Sequence, residues 1–151
     1  VTIFMKKMTE ILFGLCNSGI LLFWGMLLFL PKQRLTQKLL HYPWVPAAMA
    51  LCYSYFLIAA GGLPEIDFTS LEGISVLFSN PTPEAIAAGW IHYLAFDYWV
   101  GCSLLAQSQQ RGIPHLWMIL PLLATFMLGP VGVLLYVVTS QVYPLLKSKN
   151  A

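Results

Sequence analysis

The sequence predicts an all-α integral membrane protein, with four transmembrane helices in an antiparallel bundle. Three observations lead there. Charged residues make up 9% of the 151 residues, against roughly 25% in soluble domains. Hydrophobic residues make up 58%, and mean hydropathy is +0.73. Four stretches each carry about the 20 apolar residues that a hydrocarbon core of roughly 30 Å demands.

The first predicted span is 11–30, "ILFGLCNSGILLFWGMLLFL", closed by Pro31 and Lys32. It follows Lys6 and Lys7, but it is long for a signal peptide and no small-residue cleavage site follows, so an uncleaved helix is expected. The second is 45–63, with Pro46 in its first turn and Gly61, Gly62 and Pro64 at its end. The third is 84–106. Thr82, Pro83 and Glu84 form a helix start: a capping hydroxyl, a proline whose missing N–H costs nothing, and an acid at the positive helix end. The glutamines after Ala106 extend this helix toward the headgroups. The fourth is 115–139, interrupted by Pro121 and by Gly129–Pro130, which predict kinks. The four helices make one membrane domain over 1–151.

The loop at 64–83 is acidic, and its "LEGISVLF" suits a short interfacial element. The first connection is short and basic. Four spans put both termini on the side of the 64–83 loop, with Lys6, Lys7, Lys147 and Lys149. The opposite side carries Lys32, Arg34, Lys38 and Arg111, so the cation counts tie. The cations flanking the first helix favour a cytoplasmic first loop. A net charge of +2 with no larger basic cluster argues against nucleic acid as a partner. The lipid bilayer is the expected partner.

The chemistry concentrates in 89–101, "GWIHYLAFDYWVG". Asp97 falls near mid-membrane, where a carboxylate costs roughly 2.5–3.5 kcal/mol by insertion scales. It must ionise beside donors or stay protonated. Tyr93, Asp97 and Gly101 share a helix face at four-residue spacing. His92 points about 140° away from Asp97 at 100° per residue, on a stripe with Phe96, Trp99 and Ser103. Partners must then come from other helices: Asn17, Ser18, Tyr53, Ser54, Tyr55 or Thr125. Asn17 is at a depth that suits His92. A satisfied polar residue that only fixes helix register is the competing reading for both. Cys16, Cys52 and Cys102 read as small apolar residues. No metal site is expected, because the three histidines are scattered and no HExxH or CxxC occurs. Nothing suggests a solute path.

The block 89–101, followed by "RGIPHLWMILPLLATFMLGPVGVLLY", resembles the ABA-deficient-four family of membrane proteins. Gly89, Trp90, His92, Tyr93, Leu94, Phe96, Asp97 and Gly101 carry the first part of the likeness. Pro114, His115, Pro121, Phe126, Gly129, Pro130, Gly132 and Tyr136 carry the second. Plant members are required to form neoxanthin from violaxanthin in plastids, and homologues occur in cyanobacteria. The pattern often has basic residues after the glycine of the first block, where this chain is neutral until Arg111.

The resemblance implies a carotenoid ligand, and a thylakoid or inner-membrane location if the source is cyanobacterial. Tyr93, Phe96, Trp99, Tyr53, Tyr55, Asn17 and Phe126 are the expected pigment lining. Asp97 and His92 are the expected acid and base for epoxide opening, with neither role assigned. The alternative is a non-enzymatic pigment binder or an accessory subunit of a larger, photosynthetic membrane complex.

Overall fold

The computed structural model describes residues 2–63 and 65–149, and side chains from Lys6 to Ser148 within that range. Pro64 and the Lys149 side chain fall outside it. The elements are α1 (Thr2–Phe29), α2 (Arg34–His41), α3 (Trp44–Ala59), α4 (Leu71–Ser79), α5 (Pro83–Gln110), a 3-10 turn (His115–Met118), α6 (Ile119–Leu128) and α7 (Pro130–Lys149).

The fold is all-α, but the expected four transmembrane helices are not what forms. Among the described residues two helices are long and apolar enough to cross a membrane, over Lys6–Phe29 and Pro130–Ser148. A third span exists only if α2 and α3, bent by 60° at their junction, act as one.

Each discrepancy has a physical cause. α3 has 16 residues, about 24 Å at 1.5 Å per residue, and Gly61 and Gly62 end its run with φ of 92° and 85°. α5 has 28 residues, ample length, but Trp90, His92, Tyr93, Asp97, Tyr98 and Trp99 dilute its hydropathy. The expected 115–139 helix breaks completely at Gly129, whose φ of 50° suits glycine alone.

Several local expectations hold. The Thr82 hydroxyl accepts the Ala85 amide at 3.2 Å, and Pro83 opens α5. The glutamines carry α5 on to Gln110. "LEGISVLF" is helical as α4, capped by Ser70, which accepts the Gly73 amide at 3.0 Å.

The chain divides into two compact units. The first comprises Val1–Gly19 and Ala47–Leu94, the second Ile20–Pro46 and Ala95–Ala151. In the first, Met49, Phe56, Ala87, Ala88, Ile91 and Leu94 are buried. Thr9 meets Glu84 at 3.4 Å and Asn17 meets Trp90, so α1 and α5 run parallel there. In the second, Trp24, Leu27, Tyr98, Leu105, Met118 and Leu122 form the core.

The second unit holds a helical hairpin. In a continuous helix, positions seven apart lie about 10 Å apart along the axis. Here a Cβ on Gly132 would collide with the backbone of Thr125. At the far end, the rings of Trp117 and Tyr143 meet at 5.8 Å. The chain therefore reverses at Gly129, and α7 returns antiparallel along α6 and the 3-10 turn. α6 is ten residues, about 15 Å, half a hydrocarbon core. The kinked fourth span of the sequence reading is thus a folded-back pair, and α7 runs back past the start of α6.

Candidate functional site

The residues of 89–101 distribute over both units. In the first, the Trp90 indole donates to Asn17 Oδ1 at 2.9 Å, and its ring stacks on Tyr93 at 5.9 Å and 21°. Asn17 is thus engaged by Trp90, two residues before His92 on α5. His92 lies against the Tyr53 ring, 5.7 Å between centroids and 53° between planes. Tyr55 is half-buried and packs on Phe56 at 5.4 Å.

Asp97 belongs to the second unit and lies near the midpoint of α5. Its carboxylate Oδ1 is 2.9 Å from where a Cβ on Gly129 would sit. It therefore presses on the point where α6 stops and α7 starts. Pro130, lacking an N–H, opens α7. The free amides behind it make that helix end partially positive, which favours a carboxylate by about 0.3–1 kcal/mol, and more when partly buried. Set against an insertion cost of roughly 2.5–3.5 kcal/mol, the helix end offsets only part. Further groups also engage Asp97, as they do His92, Tyr93 and Phe96.

An aromatic cluster stands beside this point. Trp24 packs on Tyr98 at 5.8 Å and on Phe126 at 5.3 Å, and Phe23 closes on Tyr98 at 6.1 Å. Gly101 makes room for the Trp24 indole: a Cβ there would lie 2.6 Å from it. A residue without a side chain at this position lets the neighbouring helix come close. Tyr98 is buried; among the described residues its hydroxyl has no oxygen or nitrogen partner, and the weakly bonding Cys102 thiol stands beside it. Phe96 and Trp99, paired at 5.9 Å, are about half exposed. Thr125 is fully buried and donates to its own helix at Pro121.

Trp24 and Tyr98 are the residues that sequence reasoning passed over. The available signal was Gly101, one turn past Asp97, which marks where a large ring can enter. Among the described residues no three His, Cys, Asp or Glu gather as metal ligands.

A family model described as ABA DEFICIENT 4-like matches residues 11–136. The chain belongs to the ABA DEFICIENT 4-like family. This is a membrane protein family linked to the carotenoid pathway that forms neoxanthin. The match takes in α5, the Gly129 break and the start of α7, so the family segment includes both Asp97 and the turn against which it rests. No curated protein and no solved structure matches the chain.

Proposed function

We propose that this family member binds a xanthophyll within the membrane and isomerises its end group, with Asp97 handling the proton. The observation that carries this reading is the Asp97 carboxyl at a broken helix, beside the Trp24–Tyr98–Phe126 rings. Opening an epoxide by isomerisation adds and removes no atoms overall. A proton goes onto the oxygen as its bond to carbon breaks, and another leaves carbon as a new double bond forms. A carboxyl group can give the first proton and, as carboxylate, take the second. The helix end at Gly129 supports the carboxylate stage. His92, the other residue named for a proton step, lies on the part of α5 that belongs to the first unit.

The test is expression in a host that accumulates an epoxy-xanthophyll, followed by pigment extraction. Wild type is expected to yield an isomer of unchanged mass. Asp97→Asn, nearly isosteric, is expected to lose at least about 100-fold in conversion, the usual scale for a general acid or base, while membrane levels hold. Full conversion by Asp97→Asn removes Asp97 from the chemistry. His92→Ala in parallel reports whether one group or two handle protons.

A second reading is pigment binding without conversion, as an accessory of a larger membrane complex. The exposed rings of the second unit's part of α5 favour it: Phe96 and Trp99, paired at 5.9 Å, are 49% and 48% exposed, a surface suited to a polyene chain. Pigment co-purifying unchanged with wild type, and retained by Asp97→Asn, selects this reading.

A further inference from the structure

Charge separates between the two units. Lys6 and Lys7 in the first stand against Glu10, Glu65, Asp67, Glu72 and Glu84. The second has Lys32, Arg34, Lys38, Arg111, Lys147 and Lys149 against Asp97 alone.

The described cations of the second unit collect at one end of it. Gln37 Nε2 donates to the Pro31 carbonyl and, at 3.1 Å, to Gln109 Oε1, which ties α2 to the end of α5. Arg111 follows two residues later, with its guanidinium over the Tyr136 ring at 5.9 Å. His115 bonds the Leu28 carbonyl at 2.8 Å, joining the start of the hairpin to the end of α1. The Trp117–Tyr143 contact brings the end of α7, with exposed Lys147, to the same end.

α2 has the form of a helix lying in a membrane surface. Arg34, Gln37, Lys38 and His41 follow i, i+3, i+4, i+7 on one face. Thr36 and Leu39, on the other, are buried, and Leu35 is 56% exposed beside the cations. Tyr42 and Trp44, paired at 6.1 Å and exposed, follow as interfacial rings.

From this we infer that α2, Lys32, Arg111 and the end of α7 form a binding surface for anionic phospholipid headgroups, on the cytoplasmic face. Five cations without an acid supply the charge. The adjacent apolar and aromatic side chains fit acyl chains, which a free phosphate does not offer. The same hairpin geometry breaks the tie in cation counts. Lys147 joins Lys32, Arg34, Lys38 and Arg111, while α1 as a span leaves Lys6 and Lys7 at its other end. Five against two orients the basic end to the cytoplasm.

The test uses full-length protein in mild detergent with phosphatidylglycerol or phosphatidylcholine, and reads retained lipid by native mass spectrometry. Wild type is expected to retain phosphatidylglycerol preferentially, and to lose it in high salt. Neutralising one cation is expected to weaken retention about fivefold. Lys32→Gln, Arg34→Gln, Lys38→Gln and Arg111→Gln together are expected to abolish the preference with helical circular dichroism unchanged. Lys6→Gln with Lys7→Gln is expected to leave it intact. Undiminished preference in the fourfold variant overturns the proposal, as does equal loss in the Lys6/Lys7 variant. Displacement by inorganic phosphate at equal concentration also overturns it, assigning the cations to a free anion. A C-terminal fluorescent reporter is expected to mature in the cytoplasm; a translocated C-terminus overturns the orientation.

Discussion

Asp97 owes its setting to a glycine. Gly129 combines φ of 50° with a carboxylate where its side chain would begin. Gly129→Ala adds backbone strain of about 1–3 kcal/mol and pushes the carboxylate away. The expected outcome is a lower thermal unfolding midpoint in detergent, together with loss of any conversion that Asp97 supports. Gly14→Ala is the control: Gly14 is helical with open space around it, so the change is expected to be neutral or stabilising by up to ~1 kcal/mol. The place of Asp97 midway along a helix was legible, because apolar residues flank it on both sides. Its neighbour at Gly129 was not, because a Gly-Pro pair in an apolar run reads equally as a kink or as a reversal. The Trp90 indole on Asn17 was not legible for a related reason. Depth along a helix can be counted from sequence, whereas rotation toward a neighbour depends on packing, and the Trp90 indole takes the Asn17 oxygen.

Among the elements, α4 is latched by the loop before it. Asp67 Oδ1 accepts the Thr69 hydroxyl at 2.6 Å and the Thr69 amide at 2.8 Å. These bonds, with the Ser70 hydroxyl, hold the Asp67 carboxyl below the usual carboxylate range. A lowered folded value means that the latch is fully present above the ordinary carboxylate range and is lost as pH falls through the lowered one. The protection of the Thr69 amide, the slowing of its exchange relative to the intrinsic rate at each pH, is therefore expected to fall on acidification in wild type. In Asp67→Ala that protection is expected to be low and free of that extra pH step. The Asp67 backbone also crowds Gly73, where a Cβ would lie 2.9 Å from the Asp67 carbonyl carbon. Gly73→Ala is expected to free the loop, measurable as faster exchange across residues 67–73. α4 was legible from its own residues, since a serine cap precedes an apolar run. α2 reads as loop because eight residues with five polar side chains look like a connection. Its signal was the spacing of Arg34, Gln37, Lys38 and His41. α5 was read as a span on length, yet its rings and polar groups keep it below the apolarity of α1 and α7.

For the whole molecule, the sequence-based bundle and the observed helices agree in class and differ in path. The count of four rested on apolar length. Length cannot tell a helix that crosses from two that fold back on each other, because both bury the same residue types. The path can be checked by labelling single cysteines with a membrane-impermeant maleimide, in a background where Cys16, Cys52 and Cys102 are replaced by alanine. Gln33→Cys and Ser148→Cys are expected to react from the same side, and Lys7→Cys from the other. A four-span bundle gives the opposite pattern for Ser148→Cys.

The reversal at Gly129 also bears on how the chain enters a membrane. A hairpin whose two ends emerge together can be inserted from one side, tip first. Its trailing lysine, Lys147, then never crosses the hydrocarbon, where a charged side chain costs roughly 2.5–3.5 kcal/mol. α6 and α7 can thus enter as a single closed unit late in synthesis, with Gly129 and Pro130 leading toward Asp97 on an α5 already in place.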